Sequence, residues 1–322
     1  MIKQQLLWTF IQHNMEEGIA VMLMYVMDSK GSSPGRRGFA MAVNPQGETH
    51  GSIGGGIMEH KFVEKCIADL HETSALLPIV RKQVHDKEVA HNQSGMICSG
   101  EQTIFIYPVK IEDKIVVDEL VNHFKHNKTA WLQLRPDGIS LSKNDNNEVG
   151  LVTKSDIDWL YFEKIGYANQ LHIIGGGHCA LALSKLMSSL DFYISLHEDR
   201  GELDTLERNH YANEMKILQD YHRLSTTIEP GENVYIVIMT VGYRTDYIAL
   251  KALLHKSFKY LGVLGSKKKM EKLLSQLQND GIEKKTLDKI HTPIGISINS
   301  QTPEEIAISI AAEIILIKNK IK

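Results

Sequence analysis

The 322-residue sequence contains no apolar run near the roughly 20 residues needed to cross a bilayer. Its most continuous apolar stretch, residues 234–239, predicts a buried strand instead. The first apolar residues recur at helical spacing and are followed by Glu16 and Glu17, which is unlike a secretory signal peptide. These absences predict a cytoplasmic protein that does not enter membranes.

Cysteine and excess charge are also scarce. Cys66, Cys98 and Cys179 are odd in number and widely spaced, which excludes a disulfide framework and paired CxxC metal ligands. The net charge of -3 provides no global positive field for nucleic acid or an anionic membrane, although local clusters could still bind a small anion. The 15 histidines form no HExxH motif, so we expect no dedicated protein metal site.

The chain is long enough for two domains, and its pattern changes near residue 166. Residues 1–165 predict an α+β domain. Its elements are an amphipathic helix, a wide hairpin of strands 19–27 and 39–43, a glycine-rich loop 51–56 leading into a helix, and strands at 103–107, 131–134 and 149–153. The helix is predicted because Ile57, Met58, Phe62, Cys66 and Ile67 recur about one turn apart.

Residues 166–322 alternate strands with helices, which predicts a Rossmann-like, doubly wound parallel sheet and an α/β fold class. The predicted strands are 171–174, 192–196, 234–240 and 260–264, with helices at 179–189 and 248–255. The last helix has the clearest start: Thr302 and Glu305 form a capping box, and Pro303 fits the first turn.

The first predicted strand of this domain leads into Gly175, Gly176, Gly177 and His178, a G-x-G-x-x-A pattern that ends at Ala180. Such a turn lets the backbone approach an anion at a helix N-terminus. An acid is expected about 20 residues later, where Glu198 stands with Arg200 able to pair with a phosphate. The alternative is a tight turn that only packs the helix against the sheet, with His178 structural.

A second basic sequence, Ser266 followed by Lys267, Lys268 and Lys269, opens another helix. Lysines in a first turn oppose the helix dipole, which favours anions there. A bound phosphate would relieve this conflict. A solvated lysine face explains the sequence equally well.

In the first domain, the loop at 32–38 brings Ser33, Arg36 and Arg37 together, and two guanidinium groups suit a bidentate phosphate contact. The loop containing Gly54, Gly55 and Gly56 adds a second helix start, with Glu59 in the first turn. Two anion sites on two domains suggest one ligand between them.

Cys98 has the small neighbours Gly95, Ser99 and Gly100, which favour an accessible thiol able to act as a soft metal ligand. A buried, inert thiol is the alternative, and it is the interpretation we prefer for Cys66.

Several motifs together resemble the XdhC/CoxI family. In the first domain these are residues 31–38 and 51–59; in the second they are residues 174–178, 262–269, 293–296 and 302–314. The resemblance covers both ends of the chain, and the order and spacing of these motifs are more specific than any single glycine motif.

The resemblance implies a chaperone-like maturation factor that binds molybdenum cofactor (molybdopterin), assists its sulfuration with a cysteine desulfurase, and inserts it into a xanthine dehydrogenase-type molybdenum hydroxylase. Cys98 would then be the candidate catalytic thiol, with a possible molybdenum contact, because its Cys-Ser-Gly setting resembles the family's Cys-Gly-Gly. We expect the cofactor in a cleft shared by the domains of a homodimer. The sequence favours a cofactor-insertion chaperone over a metabolic enzyme.

The sequence departs from the family pattern at two places. Ile57 stands where many members have a cysteine, and residues 240–243 replace the usual Thr-His-Asp, which leaves Asp246 as the nearest acid. Two other functions remain open: an NAD(P)-dependent oxidoreductase, because Rossmann motifs most often bind dinucleotides, and a nucleotide-sensing scaffold protein. The identity of the ligand separates the three.

Overall fold

The computed structural model describes residues 3–72, 76–84, 100–142, 149–155 and 158–320. The chain divides into two compact units between Gly166 and Tyr167. Among the described residues, no helix is both long and apolar enough to span a bilayer.

The first unit combines three helices with nine strands in its described residues. The helices are α1 (Lys3–Glu16), α2 (Gly56–His71) and α3 (Lys114–Lys125). The strands are β1 (Met22–Gly31), β2 (Ala40–Val43), β3 (Thr49–Gly51), β4 (Ile79–Val84), β5 (Gly100–Pro108), β6 (Ala130–Arg135), β7 (Gly138–Ser142), β8 (Gly150–Ser155) and β9 (Asp158–Ile165).

These strands form two antiparallel sheets. The larger has the order β3-β2-β1-β5-β4 and the smaller the order β7-β6-β9-β8. The predicted hairpin is confirmed by pairing of β1 with β2, in which Met22 lies opposite Val43. β1 is central because its apolar run is buried from Met22 through Met27.

Helix α2 packs on the larger sheet, and its sequence explains the contact. Met58, Phe62 and Cys66 recur every four residues and join one buried cluster with the strands. The predicted helix is confirmed, and Ile57 lies outside that stripe in the first turn, where its side chain is 58% exposed.

The second unit is a parallel sheet with helices on both faces, and it confirms the predicted Rossmann-like fold. The strands are β10 (Asn169–Ile174), β11 (Phe192–Glu198), β12 (Glu214–Ile217), β13 (Gly231–Ile238) and β14 (Phe258–Val263), in the order β12-β11-β10-β13-β14. The helices are α4 (His178–Met187), α5 (Asp204–Glu207), α6 (Leu224–Thr227), α7 (Tyr243–Leu253), α8 (Lys267–Asn279), α9 (Lys284–Leu287) and α10 (Pro303–Lys318).

The order of the strands reverses at β10, which lies between β11 and β13. In such sheets, ligands bind beyond the carboxyl ends of the strands at this switch point. The predicted glycine turn follows β10 and is therefore at that position. The predicted cap of α10 is also confirmed, since the Thr302 hydroxyl accepts from the Glu305 N–H at 3.2 Å.

Candidate functional site

In the first unit, the loop at 32–38 packs directly on the glycine loop at 51–56. A Cβ on Gly35 would collide with the Ile53 carbonyl, and one on Gly54 would lie 2.6 Å from the Gly35 nitrogen. Both positions therefore require glycine. Ser33 is buried and donates its hydroxyl to the Gly35 carbonyl at 2.6 Å, so this predicted ligand contact stabilises its own loop.

Glu59 stabilises the glycine loop through three hydrogen bonds. One of its carboxylate oxygens accepts from the Ser52 hydroxyl at 2.7 Å, the Ile53 N–H at 2.8 Å and the Gly55 N–H at 2.9 Å. A carboxylate in the first turn also complements the helix dipole. In this structure Glu59 shapes the loop from within.

The other end of this loop is open. Gly55 and Gly56 have left-handed backbone angles, φ 78° and 70°, and a Cβ on Gly55 would meet no atom of the described residues within 4 Å. Within the described ranges no side chain caps the start of α2, so its first-turn N–H groups are available to a ligand. The exposed side chain of Ile57 stands in the same turn.

The two predicted arginines are exposed on the loop that packs against this helix start. Arg37 makes a 2.9 Å ion pair with Asp28, and Arg36 makes only a marginal 3.5 Å contact with the Gly31 carbonyl. Exposed ion pairs contribute about 0–1 kcal/mol, so a phosphate could replace Asp28 as the partner of Arg37. The two loops are thus in contact through Gly35, Ile53 and Gly54, and both arginines are exposed on the first of them.

In the second unit, the three glycines after β10 differ in their surroundings. A Cβ on Gly175, whose φ is 109°, would lie 2.5 Å from the Met239 carbonyl after β13. One on Gly176 would lie 2.7 Å from Leu206, whereas one on Gly177 would meet no described atom within 4 Å. The first two glycines permit close packing, and the third leaves the start of α4 open. His178 is exposed in that first turn.

Glu198 stabilises this glycine turn through a hydrogen bond. Its fully buried carboxylate accepts from the Gly176 N–H at 2.5 Å and from Arg200 through both Nε (2.8 Å) and Nη2 (2.9 Å). Burial alone would raise the pKa of Glu198, but the hydrogen bonds from Arg200, Asp199 and Gly176 lower that pKa to about 2. Both predicted residues, Glu198 and Arg200, are thus paired with each other, with the Glu198 carboxylate fully buried and the Arg200 side chain 43% exposed.

At the end of β13, Asp246 forms a second buried acidic centre. It accepts from the Thr240 N–H at 3.1 Å and from the Lys269 ammonium at 2.6 Å. This pairing explains one of the three lysines at the start of α8. The other two, Lys267 and Lys268, are exposed beyond the cap that Ser266 makes with the Lys269 N–H at 3.4 Å.

The thiols differ in environment. Burial raises the pKa of Cys66 to about 12, and it also raises the pKa of Cys179, which favours unreactive thiols. The candidate thiol Cys98 and its neighbours Gly95 and Ser99 lie outside the described residues. Within the described residues, no group of three or more His, Cys, Asp or Glu side chains could hold a metal ion.

A buried histidine pair on β10 and β11 had no counterpart among the sequence motifs. The His172 Nδ1 lies 3.0 Å from the His197 Nε2, and the His197 Nδ1 is buried without a partner among the described residues. Desolvation lowers the pKa of His172 to about 4 and that of His197 to about 3, so both rings are neutral at pH 7. Alternation along a parallel strand could have placed them on one face, but it could not reveal the contact.

The fold and these loops define a two-unit protein with a glycine turn at the switch point of a Rossmann-like sheet. The family model of the XdhC Rossmann domain matches residues 171–314, and that of the XdhC and CoxI family matches residues 15–79. The chain belongs to the XdhC and CoxI family.

Two curated proteins are similar in sequence. The uncharacterised protein YqeB of Escherichia coli (strain K12) is 23% identical over 304 residues, which are 94% of this chain and 44% of YqeB. A probable xanthine dehydrogenase subunit of Bacillus subtilis (strain 168) is 32% identical over 85 residues, 26% of this chain and 24% of that protein. The matched region covers less than half the length of each of these proteins.

A crystal structure described as a xanthine dehydrogenase from Bacillus halodurans has the same fold. The TM-score is 0.73 at 22% identity, and the match covers 98% of this chain and 96% of the other.

Proposed function

We propose that this protein is an accessory factor of xanthine dehydrogenase-type molybdenum hydroxylases. In this proposal it binds the molybdenum cofactor as cargo, assists its sulfuration with a cysteine desulfurase, and delivers it to the apoenzyme in the cytoplasm. We also propose that it acts as a homodimer. Family membership and the similarity to a probable xanthine dehydrogenase subunit support the accessory role.

One observation supports cofactor binding most strongly. In the part of the chain that the structure describes, each unit has a glycine loop that ends at a helix start without a side-chain cap, and one glycine there, Gly55 or Gly177, has no neighbouring atom within 4 Å of an added Cβ. Backbone N–H groups at a helix N-terminus bind phosphate well. The cargo carries a phosphate or a dinucleotide, so its anionic part fits these loops.

The positive side chains around the loops support the same assignment. Arg36 and Arg37 in the first unit, and Lys267 and Lys268 in the second, are exposed cations. Arginine adds a planar, bidentate contact to phosphate, whereas lysine adds a mobile point charge. These residues would bind and orient the anionic end of the cargo.

The metal end of the cargo would need a soft ligand. Neither Cys66 nor Cys179 suits this role, because the pKa of each thiol is raised by burial. Cys98 is the remaining thiol in the sequence, and we propose that it contacts the molybdenum or stabilises the cofactor during exchange of an oxo for a sulfido group.

Anaerobic purification tests the proposal. We expect molybdenum, measured by elemental analysis, together with pterin fluorescence after oxidation, in similar molar amounts. A preparation without either, which instead binds NAD(P)H in a fluorescence titration, would support the oxidoreductase alternative. Binding of a nucleotide without molybdenum or redox activity would support a nucleotide-sensing scaffold.

A further inference from the structure

Helix α10 is apolar on nearly every side. Its inner side, with Ala307, Ile310 and Ile314, is part of the core of the second unit. On its outer side Ile308 is 53% exposed and Leu316 57% exposed. A helix that is apolar all round is ordinarily buried all round, so this outer side is expected to be covered.

The outer side carries an ordered row of residues. Every fourth position along it forms one ridge of the helix surface, Glu304, Ile308, Ala312 and Leu316, and Lys320 follows in the turn just after the helix end, where its N–H donates to the Ile317 carbonyl at 3.4 Å. The central residue, Ala312, is small, and Ile308 and Leu316 on either side of it are large and apolar. Glu304 and Lys320 at the two ends have opposite charges. All four residues other than the half-buried Ala312 are exposed.

We infer that this ridge binds the same ridge of a second copy in antiparallel orientation, around a two-fold axis at Ala312. Ile308 of each copy then lies against Leu316 of the other, and Glu304 against Lys320. A two-fold interface needs such a self-complementary surface, in which each contact occurs twice. Ala312 lets the two helices approach closely at the axis.

The charges fix the direction of pairing. A parallel arrangement would place Glu304 against Glu304 and Lys320 against Lys320, whereas the antiparallel arrangement forms two opposite-charge pairs. Exposed ion pairs contribute about 0–1 kcal/mol each, so burial of Ile308 and Leu316 provides most of the affinity. The charges therefore determine orientation more than strength.

The apolar surface extends beyond the helix. Ser309 on α10 donates its hydroxyl to the Ile296 carbonyl at 2.7 Å, and Ile296 and Ile298 are 40% and 43% exposed. One helix pair alone covers less than the roughly 800 Å² per partner of a typical stable interface. The segment bonded to α10 at Ser309 supplies further exposed apolar area through Ile296.

Cysteine cross-linking tests the two-fold axis. In a Cys98→Ser, Cys179→Ser background, Ala312→Cys places two thiols at the axis, and we expect an intermolecular disulfide under mild oxidation. Lys318→Cys is the matched control, because it lies on the same helix but off the ridge. Equal cross-linking of the two variants would overturn the assignment.

The oligomeric state in solution tests the contacts. We expect a wild-type dimer by light scattering, with a dissociation constant raised at least about 100-fold by Ile308→Glu or Leu316→Glu. Glu304→Lys and Lys320→Glu should each weaken the dimer, and a mixture of these two variants should regain it, because their heterodimer restores both charge pairs. Circular dichroism confirms that each variant is folded.

A monomeric wild type, or a dimer indifferent to Ile308→Glu, would contradict this interface. The inference specifies the surface of the proposed homodimer but does not depend on its cargo. Molybdenum and pterin contents measured on the same samples therefore separate a failure of the interface from a failure of the proposed function.

Discussion

The two glycine loops follow the same plan but are stabilised differently. Each is held at its base by one carboxylate, and each is open at the following helix start. Glu59 lies within seven residues of all its loop partners and is half-buried, whereas Glu198 is fully buried and accepts from Gly176, 22 residues earlier in the sequence.

The first loop is therefore stabilised by hydrogen bonds that are local in sequence, whereas the second is stabilised by tertiary contacts. The first loop organises itself through contacts close in sequence, so changes there should affect the loop more than the unit. The second depends on two strand ends meeting, so its carboxylate belongs to the core of the Rossmann-like sheet. Ligand binding and folding should therefore be separable in the first loop, and in the second only at its open end, which is formed by Gly177 and the exposed His178.

Replacing the two carboxylates should give the largest difference in stability between the two loops. Glu198→Gln should lower the free energy of unfolding of the second unit by about 3 kcal/mol, the low end for a broken buried ion pair, because Arg200 can still reach water. Glu59→Gln should cost about 1 kcal/mol, since its oxygen can still accept from the loop. Urea denaturation measures both, with the exposed Glu202→Gln as control. Equal losses for the two variants would refute the distinction.

Substitutions at two glycines of the second loop should affect cofactor binding and stability separately. Gly177→Val should abolish cofactor binding while leaving the melting temperature nearly unchanged, because its side chain would occupy the open space in front of α4. Gly175→Ala should instead destabilise the unit, since its Cβ would clash with the Met239 carbonyl. Unchanged affinity in a folded Gly177→Val protein would make this turn purely structural.

The candidate thiol should matter for activation and not for folding. Cys98→Ser nearly preserves shape while removing affinity for a soft metal, so we expect a folded protein that no longer activates its target apo-hydroxylase. Cys66→Ser and Cys179→Ala are the controls, measured by reconstitution of hydroxylase activity. Full activation by Cys98→Ser, or loss with Cys179→Ala alone, would remove Cys98 from the site.

The arginines of the first unit should contribute more modestly. Changing Arg36 and Arg37 together to Ala should weaken cofactor retention, each lost charge-assisted contact being worth roughly 1.5–3 kcal/mol if desolvated and less if solvated. The measurement is bound pterin per protomer. Arg208 and Arg223, exposed on the other unit, provide a double-Ala control with the same charge change. Retention equal to that of the control would remove this loop from the site.

The buried histidine pair provides a test of acid stability. The pKa values of His172 and His197 are lowered from 6.5 to about 4 and about 3, so the unfolded state binds more protons below pH 6.5. Stability from this pair is complete above pH 6.5 and decreases as the pH falls towards 4. Because the pKa of Glu198 is about 2 against 4.5, its contribution is lost only below about pH 4.5. Urea midpoints from pH 7.5 to 5 would show this first decrease; a flat profile would contradict it.

Much of the fold could be predicted because its signals are local. The Thr302 capping box, the apolar strand runs and the glycine turn before α4 each lie within a few neighbouring residues. β12 was not predicted, since Glu214–Ile217 is a four-residue edge strand with alternating polar and exposed apolar residues. Strands β4, β7 and β9 were likewise missed.

The sequence motifs predict which residues belong to the candidate site, but they do not predict the tertiary partners of those residues. Asp246 and Lys269 are 23 residues apart, and only the folded sheet brings them together. Glu198 matched the acid expected after a Rossmann turn, yet its burial beside Arg200 depends on tertiary packing. The loops are therefore predictable from the sequence. The structure adds which of their residues form hydrogen bonds within the protein and which are exposed to solvent.

The central claim is that the open helix start of each unit binds an anionic part of the cofactor. Ile57→Asp and His178→Asp each add a carboxylate to an exposed first turn, which should stabilise the helix slightly while repelling an anion. We predict that molybdenum and pterin per protomer fall at least about tenfold in both variants, with melting temperatures equal to or above wild type. Ser189→Asp, beyond the other end of α4, should retain wild-type contents. Wild-type cofactor contents in both folded variants would contradict the account.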